Sequence, residues 1–178
     1  YRNRLNGNWG IVDSNDCRAL VKILICKELV DKSKVVVFGN SAGGLTACNA
    51  LCGDKLFKAA ICKYPVLDLK QMHLNTHRFE KNYLNSLIGN FENCKNKYFD
   101  RSPINKIKQI SQPVLIFHGK KDFVIDYKIS LQFHEKLLSN NIYSEFYLYP
   151  DEGHGFKNIQ NKMNYLKLSE IFLKKIFS

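Results

Sequence analysis

The stretch Lys34-Val-Val-Val-Phe-Gly-Asn-Ser-Ala-Gly-Gly-Leu45 constrains what this chain can become more than any other. Val35 to Phe38 read as a short buried strand, and the helix-compatible run Leu45–Leu51 follows almost at once. Between them lies Gly39-Asn40-Ser41-Ala42-Gly43, the G-x-S-x-G pattern of a strand–turn–helix elbow. A turn that sharp crowds the backbone of its flanking positions, so a Cβ on either side of the serine is expected to clash. The turn lifts the Ser41 hydroxyl to the carboxyl end of a sheet, beside the positive end of a helix. An oxyanion forming there would be held by the backbone N–H of Ala42.

The rest of the chain alternates in the same sense. Residues 1–14 are Asn/Gly-rich and form a loop anchored by Trp9. Ser14 or Asn15 can cap a helix from about Asp16 to Val30, with Cys17, Leu20, Val21 and Leu24 on its apolar stripe. The elbow helix runs to about Cys52, where Gly53 ends it. Phe57–Tyr64 is a second buried strand, stopped by Pro65. Leu67 to Asn105 has no clean period and mixes helical pieces around Phe79–Ile88 with loops. Pro113–His118 is a third buried strand, broken by Gly119. Ser130 to Leu138 is helical, with Leu131, His134, Leu137 and Leu138 on one side, and Asn140-Asn141 ends it. Ser144–Tyr149 is a fourth strand, closed by Pro150, and a last helix spans about Lys162 to Phe177 with Tyr165, Leu168, Phe172 and Lys175 on one stripe. This order predicts an α/β unit: a mostly parallel sheet with helices on both faces.

A serine hydroxyl becomes a nucleophile when a histidine takes its proton, and a carboxylate must fix that histidine's tautomer. In an open parallel sheet such groups come from loops at the carboxyl ends of strands. Two loops qualify: His118-Gly-Lys-Lys-Asp122-Phe-Val-Ile-Asp126 after the third strand, and Pro150-Asp-Glu-Gly-His154-Gly-Phe156 after the fourth. Of five histidines, only His154 stands between two glycines, which leave the backbone able to aim its ring over the sheet. His118 reads as a strand-end residue bonded to backbone, and His134 as a packed or rim helix residue. Asp122 is favoured as the carboxylate. Asp126 reads as a turn or helix cap and Asp68, a third candidate, as a turn residue or structural hydrogen-bonding group, while Asp151 and Glu152 are expected to stay solvated. The order Ser, Asp, His is that of α/β-hydrolases.

Other chemistries are disfavoured. His73 and His77 share an i, i+4 spacing but lack the H-E-x-x-H glutamate, so no metal site and no cofactor is expected. The net charge of +11 comes from 22 Lys against 5 Arg, spread along the chain rather than gathered on one face, which argues against nucleic acid as a partner. No run approaches the roughly 18 consecutive apolar residues of a membrane helix. Six cysteines without paired spacing point to a reducing compartment, hence a cytoplasmic location.

Taken together, the motifs resemble the catalytic domain of the prolyl oligopeptidase family, in its acylaminoacyl-peptidase and dipeptidyl-peptidase-like branch. The matching stretches are Asn6–Asp13, Gly39–Gly44, Tyr64-Pro-Val-Leu-Asp68, Thr76–Glu80 with Tyr83–Gly89, Ser102-Pro-Ile104, Pro113–Gly119 with Asp122, and Glu152-Gly-His-Gly-Phe156. The resemblance implies a partial α/β-hydrolase fold with Ser41, Asp122 and His154 as triad. It implies a serine-type peptidase acting on short peptides through an acyl-enzyme on Ser41. A carboxylesterase or dienelactone-hydrolase-like esterase uses the same triad, and an inactive fragment is a third reading. Tyr64, Phe79 and Tyr83 are candidate walls of the substrate pocket, although core packing would serve each equally. The family's first strands, which carry a second oxyanion donor, and its β-propeller have no counterpart in residues 1–178. The chain is therefore expected to be the C-terminal portion of a catalytic domain, with the missing N-terminal part packing on it and the elbow strand left as an edge.

Overall fold

A computed structural model describes residues 2–75 and 78–178, the side chains of residues 78–81 excepted. Four strands, β1 (Val36–Asn40), β2 (Ala59–Lys63), β3 (Val114–Gly119) and β4 (Ser144–Tyr149), form one sheet in the order β1-β2-β3-β4. Every pairing is parallel, with Phe38 opposite Ile61, Cys62 opposite Ile116 and Phe117 opposite Tyr147. Helices α1 (Val12–Cys26), α2 (Ala42–Leu51), α3 (Leu69–Asn75), α4 (Arg78–Ile88), α5 (Lys95–Asp100), α6 (Tyr127–Ser139) and α7 (Ile159–Phe177) supply the crossovers and covers. The expected α/β order and parallel sheet are present, with helices on both faces.

The central strands β2 and β3 are apolar on both sides because both sides are covered. Ala60, Cys62, Val114 and Ile116 face a core completed by Leu51 of α2 and Phe133 and Leu137 of α6. Their neighbours Ala59, Ile61, Leu115 and Phe117 face the other way, against Phe172 of α7. A third cluster joins Trp9 and Leu45 to Leu84, Leu87, Ile88 and Tyr98 of the α3–α5 segment. Arg101 ties that segment to the N-terminal loop by donating to the carbonyls of Trp9 and Gly7, each at 3.0 Å. Among the described residues, no helix is long and apolar enough to cross a membrane.

Several boundaries differ from expectation, each because packing outweighs local pattern. Helix α1 starts at Val12, not Asp16. Its Asp13 accepts the Gly10 N–H at 2.7 Å and the Thr46 hydroxyl of α2, so that helix–helix contact sets the start. Arg18 of α1 then caps α2, donating to the carbonyls of Asn49 and Cys52 at 2.7 and 2.6 Å. On α6 the buried stripe is Ser130, Phe133 and Leu137, while Leu138 is exposed. On α7, Ser169 and Phe172 are buried and Lys175 is exposed. Finally, β1 pairs only with β2 among the described residues, and α7 covers the β3 side of its face. Phe38 is accordingly 54% exposed rather than buried.

Candidate active site

Each strand ends in a residue that reaches the same place. Ser41 follows β1, Tyr64 follows β2, Asp122 lies beyond β3 and His154 beyond β4. Ser41 occupies the sharp turn with φ 52° and ψ −120°, a left-handed backbone that an L-residue adopts only under constraint. The constraint is visible. The Ser41 N–H donates to the Lys63 carbonyl, and its own carbonyl accepts from Gly44 and Val66, all within 2.9–3.0 Å. A Cβ on Gly39 would lie 2.1 Å from the Gly43 carbonyl oxygen, as the crowding argument requires. On the other side the expectation fails at Gly43, where a Cβ would meet nothing within 4 Å. The tight approach is instead at Gly44, whose Cβ would lie 2.4 Å from Pro65. Ala42 opens α2, where a backbone N–H has no acceptor within the helix.

The three distant side chains meet. His154 Nε2 lies 3.0 Å from Ser41 Oγ, and His154 Nδ1 lies 2.9 Å from Asp122 Oδ2. With Nδ1 facing a carboxylate, that nitrogen carries the proton, and Nε2 is left to accept from the serine hydroxyl. Asp122 is fully enclosed, whereas the His154 side chain keeps 27% of its surface. Burial alone would raise the Asp122 carboxyl. Hydrogen bonds from His118, from the Ile125 N–H, from His154 and from the Val124 N–H outweigh it and hold the group down to about 2. The carboxylate is thus ionised across the working pH range.

The loops bearing Asp122 and His154 are fastened together. Lys121 N–H donates to the Glu152 carbonyl at 2.8 Å, and a Cβ on Gly119 would meet that same carbonyl oxygen at 2.3 Å. Gly155 adopts φ +92°, the conformation that returns the chain after His154. Tyr64, itself at φ 38°, sets its ring 4.6 Å from the His154 ring, and burial together with the Asp122 charge pushes its phenol up.

The remaining candidates fall as follows. Tyr64 lies beside the His154 ring. Tyr83 is 49% exposed on α4, with no ring contact or hydrogen bond to Ser41, Asp122 or His154. The Phe79 side chain and His77 lie outside the described residues. Asp126 caps α6 by accepting from Lys128 N–H, and Asp68 accepts from Gln71 N–H at the start of α3. His134 bonds to Ser144, and His73 stacks on Phe91 at 4.5 Å. No group of three His, Cys, Asp or Glu among the described residues is arranged to hold a metal ion.

Two residues do more than the sequence suggests. Glu152 is not solvated but 3% exposed. Burial would raise its carboxyl, but the N–H groups of Lys157 and Asn158 and the amide of Asn161 pull it below its ordinary value. This carboxylate therefore braces the His154 loop against the start of α7. His118 bonds to backbone as expected, to the Ile125 carbonyl at 3.0 Å, and its Nε2 also lies 3.3 Å from Asp122 Oδ2. Its i, i+4 distance from Asp122 across a strand end was the one available signal.

Comparison with known proteins gives a consistent picture. The acylamino-acid-releasing enzyme of Rattus norvegicus is 28% identical over 165 residues, covering 88% of this chain and 22% of that protein. A protein named inactive dipeptidyl peptidase 10, from Mus musculus, is 28% identical over 147 residues, covering 82% of this chain and 18% of its own. The solved puromycin-hydrolyzing peptidase of Mycobacterium tuberculosis superimposes with a TM-score of 0.95 at 30% identity, over 99% of this chain and 27% of that one. The chain thus spans about a fifth to a quarter of the length of these relatives. A model of the prolyl oligopeptidase family matches residues 1–178, and a match running the full length of a fold that gathers Ser41, Asp122 and His154 at one edge makes this chain a member of that family.

Proposed function

We propose that this chain carries the reacting groups of a serine peptidase that hydrolyses short peptides through an acyl-enzyme. The observation that carries the reading is the unbroken hydrogen-bond line from Ser41 through His154 to Asp122. Ser41 Oγ attacks the scissile carbonyl while His154 Nε2 takes its proton. Asp122 keeps the proton of the ring on Nδ1 and stabilises the imidazolium that forms. The Ala42 N–H, at the positive end of α2, receives the oxyanion. His154 then protonates the leaving amine, and a water activated by the same ring releases the acyl group. Peptide rather than ester follows from the named activities of the relatives, since both acyl transfers use one geometry. Cleavage by an intact protein containing this chain is part of the same proposal.

The test is labelling of the 178-residue chain by a fluorophosphonate probe, alongside Ser41→Ala. Labelling that Ser41→Ala abolishes supports the reading. Labelling that persists removes the nucleophile assignment, and a folded chain that takes no label is, by itself, an inactive portion. Rates on a peptide anilide and a short-chain ester separate the two activities, and turnover confined to the ester counts against a peptidase.

A further inference from the structure

We propose that His118 is a positioning residue for Asp122, acting through its Nε2–H on the carboxylate that orients His154. The inference rests on the triad reading above. His118 is completely buried at the end of β3, yet the mechanism makes no use of it. Its Nε2 faces two acceptors, the Ile125 carbonyl at 3.0 Å and Asp122 Oδ2 at 3.3 Å, so this nitrogen carries the proton. The opposite nitrogen, Nδ1, lies 2.9 Å from the hydroxyl of Ser130, a buried residue of α6. With Nε2 protonated, Nδ1 accepts from that hydroxyl, and the tautomer is fixed from both ends.

The consequence lies in the carboxylate's four acceptor positions. Oδ1 takes the N–H groups of Val124 and Ile125 at 2.8 and 2.9 Å. Oδ2 takes His154 at 2.9 Å and has His118 Nε2 beside it at 3.3 Å. Three hydrogen bonds and this longer contact, which shares the Nε2–H with the Ile125 carbonyl, surround the carboxylate, so it cannot rotate without losing a donor. Ile125 closes a ring, giving its N–H to Asp122 and its carbonyl to His118. His118 therefore locks both the loop and the plane of the carboxylate. The other titratable groups around this pair are Tyr64 after β2, whose ring lies against His154, and Lys121, Asp151, Glu152 and Lys157 around the His154 loop. Lys121 is paired with Asp151, and Glu152 is taken up by its own three donors, so none of these supplies a donor to Oδ2.

The test uses the 178-residue chain with nitrogen-15 histidine, as wild type, His118→Phe and His118→Gln. Imidazole NMR reads the tautomer of His118 and the water exchange of the His154 Nδ1–H. Stopped-flow fluorophosphonate labelling, in which Ser41 Oγ displaces fluoride from phosphorus, reads the maximal phosphonylation rate and the reversible affinity separately. The wild type is expected to hold the His118 proton on Nε2. In His118→Phe, exchange at His154 quickens and the maximal phosphonylation rate falls, each about three- to tenfold as one hydrogen bond is lost, with the affinity unchanged. His118→Gln, which keeps a donor near the Nε2 position, restores both. A His118 proton on Nδ1 in the wild type overturns the inference, as does unaltered exchange in folded His118→Phe. So does a glutamine variant no better than phenylalanine. If His118→Phe does not fold, the wild-type tautomer and the glutamine variant decide. A wild type that takes no label marks the chain by itself as an inactive portion and bears on the peptidase reading alone, because the NMR readouts do not depend on phosphonylation.

Discussion

Acidification should release a definite share of this protein's stability through Asp122. The group's folded-state value of about 2 lies below the ordinary 3.8. A depressed carboxyl contributes stability that is complete above its unfolded value and disappears as pH falls through its folded one. The window therefore runs from about pH 4 down to about pH 2. At about 1.4 kcal/mol per pH unit the contribution is roughly 2 kcal/mol, undiminished by solvent because the side chain has no exposed surface. Asp122→Asn keeps the shape but removes the charge, and it turns a hydrogen-bond donor toward His118 or His154. Urea unfolding followed by circular dichroism, at steps between pH 6 and pH 2, measures the gap between wild type and variant. Glu152 titrates in both proteins, so the difference isolates Asp122. The gap should be widest at pH 6 and narrow by about 2 kcal/mol as pH reaches 2, at constant denaturant slope. A gap that stays level across that window would refute the assignment of Asp122 as the ionised, hydrogen-bonded anchor.

The elbow glycines should separate cleanly. Gly39→Ala drives a Cβ onto a carbonyl oxygen, and Gly44→Ala drives one onto Pro65. Each should destabilise by about 3 kcal/mol or more in urea unfolding. Gly43→Ala meets open space inside α2 and should stabilise by up to about 1 kcal/mol; a loss there contradicts the geometry. Glu152→Ala strands the N–H groups of Lys157 and Asn158, so it should cost about 2–3 kcal/mol and slow probe labelling, and a change under about 0.5 kcal/mol would mean the brace is idle. Phe172→Ala should cost about 3–5 kcal/mol, since this ring is fully buried between α7 and the sheet.

The parts legible in the sequence are those fixed by short-range rules. An apolar run ended by Gly located β3, and a partly alternating stretch ended by Pro located β4, whose bounds agree to the residue. The three motif residues could be found because a parallel sheet admits few places from which a serine, a histidine and a carboxylate can meet. What escaped depends on distant partners. The start of α1 is set by Thr46 of another helix, and Phe38 is exposed because α7 does not reach it. Helices α3 and α5 are short, and their pattern is set by the Trp9 cluster. Glu152 looks like any loop glutamate until Asn161, nine residues later, folds back onto it. Gly43 fits the motif yet shows no steric need among the described residues.

One consequence of the sheet concerns how its two halves are kept in step. The hydroxyl travels with β1 and β2, while the imidazole and carboxylate travel with β3 and β4, already stapled to each other at Gly119 and Glu152. Among the described residues, only the β2–β3 seam, where Lys63 lies opposite Phe117 and the Tyr64 N–H reaches the Phe117 carbonyl, joins nucleophile to base within the sheet. A slip of one residue along that seam would displace the serine from the ring by about 3.3 Å, farther than a hydrogen bond can stretch. That seam acts as the gauge that spaces the two halves, and its packed Cys62 and Ile116 guard the chemistry without touching it.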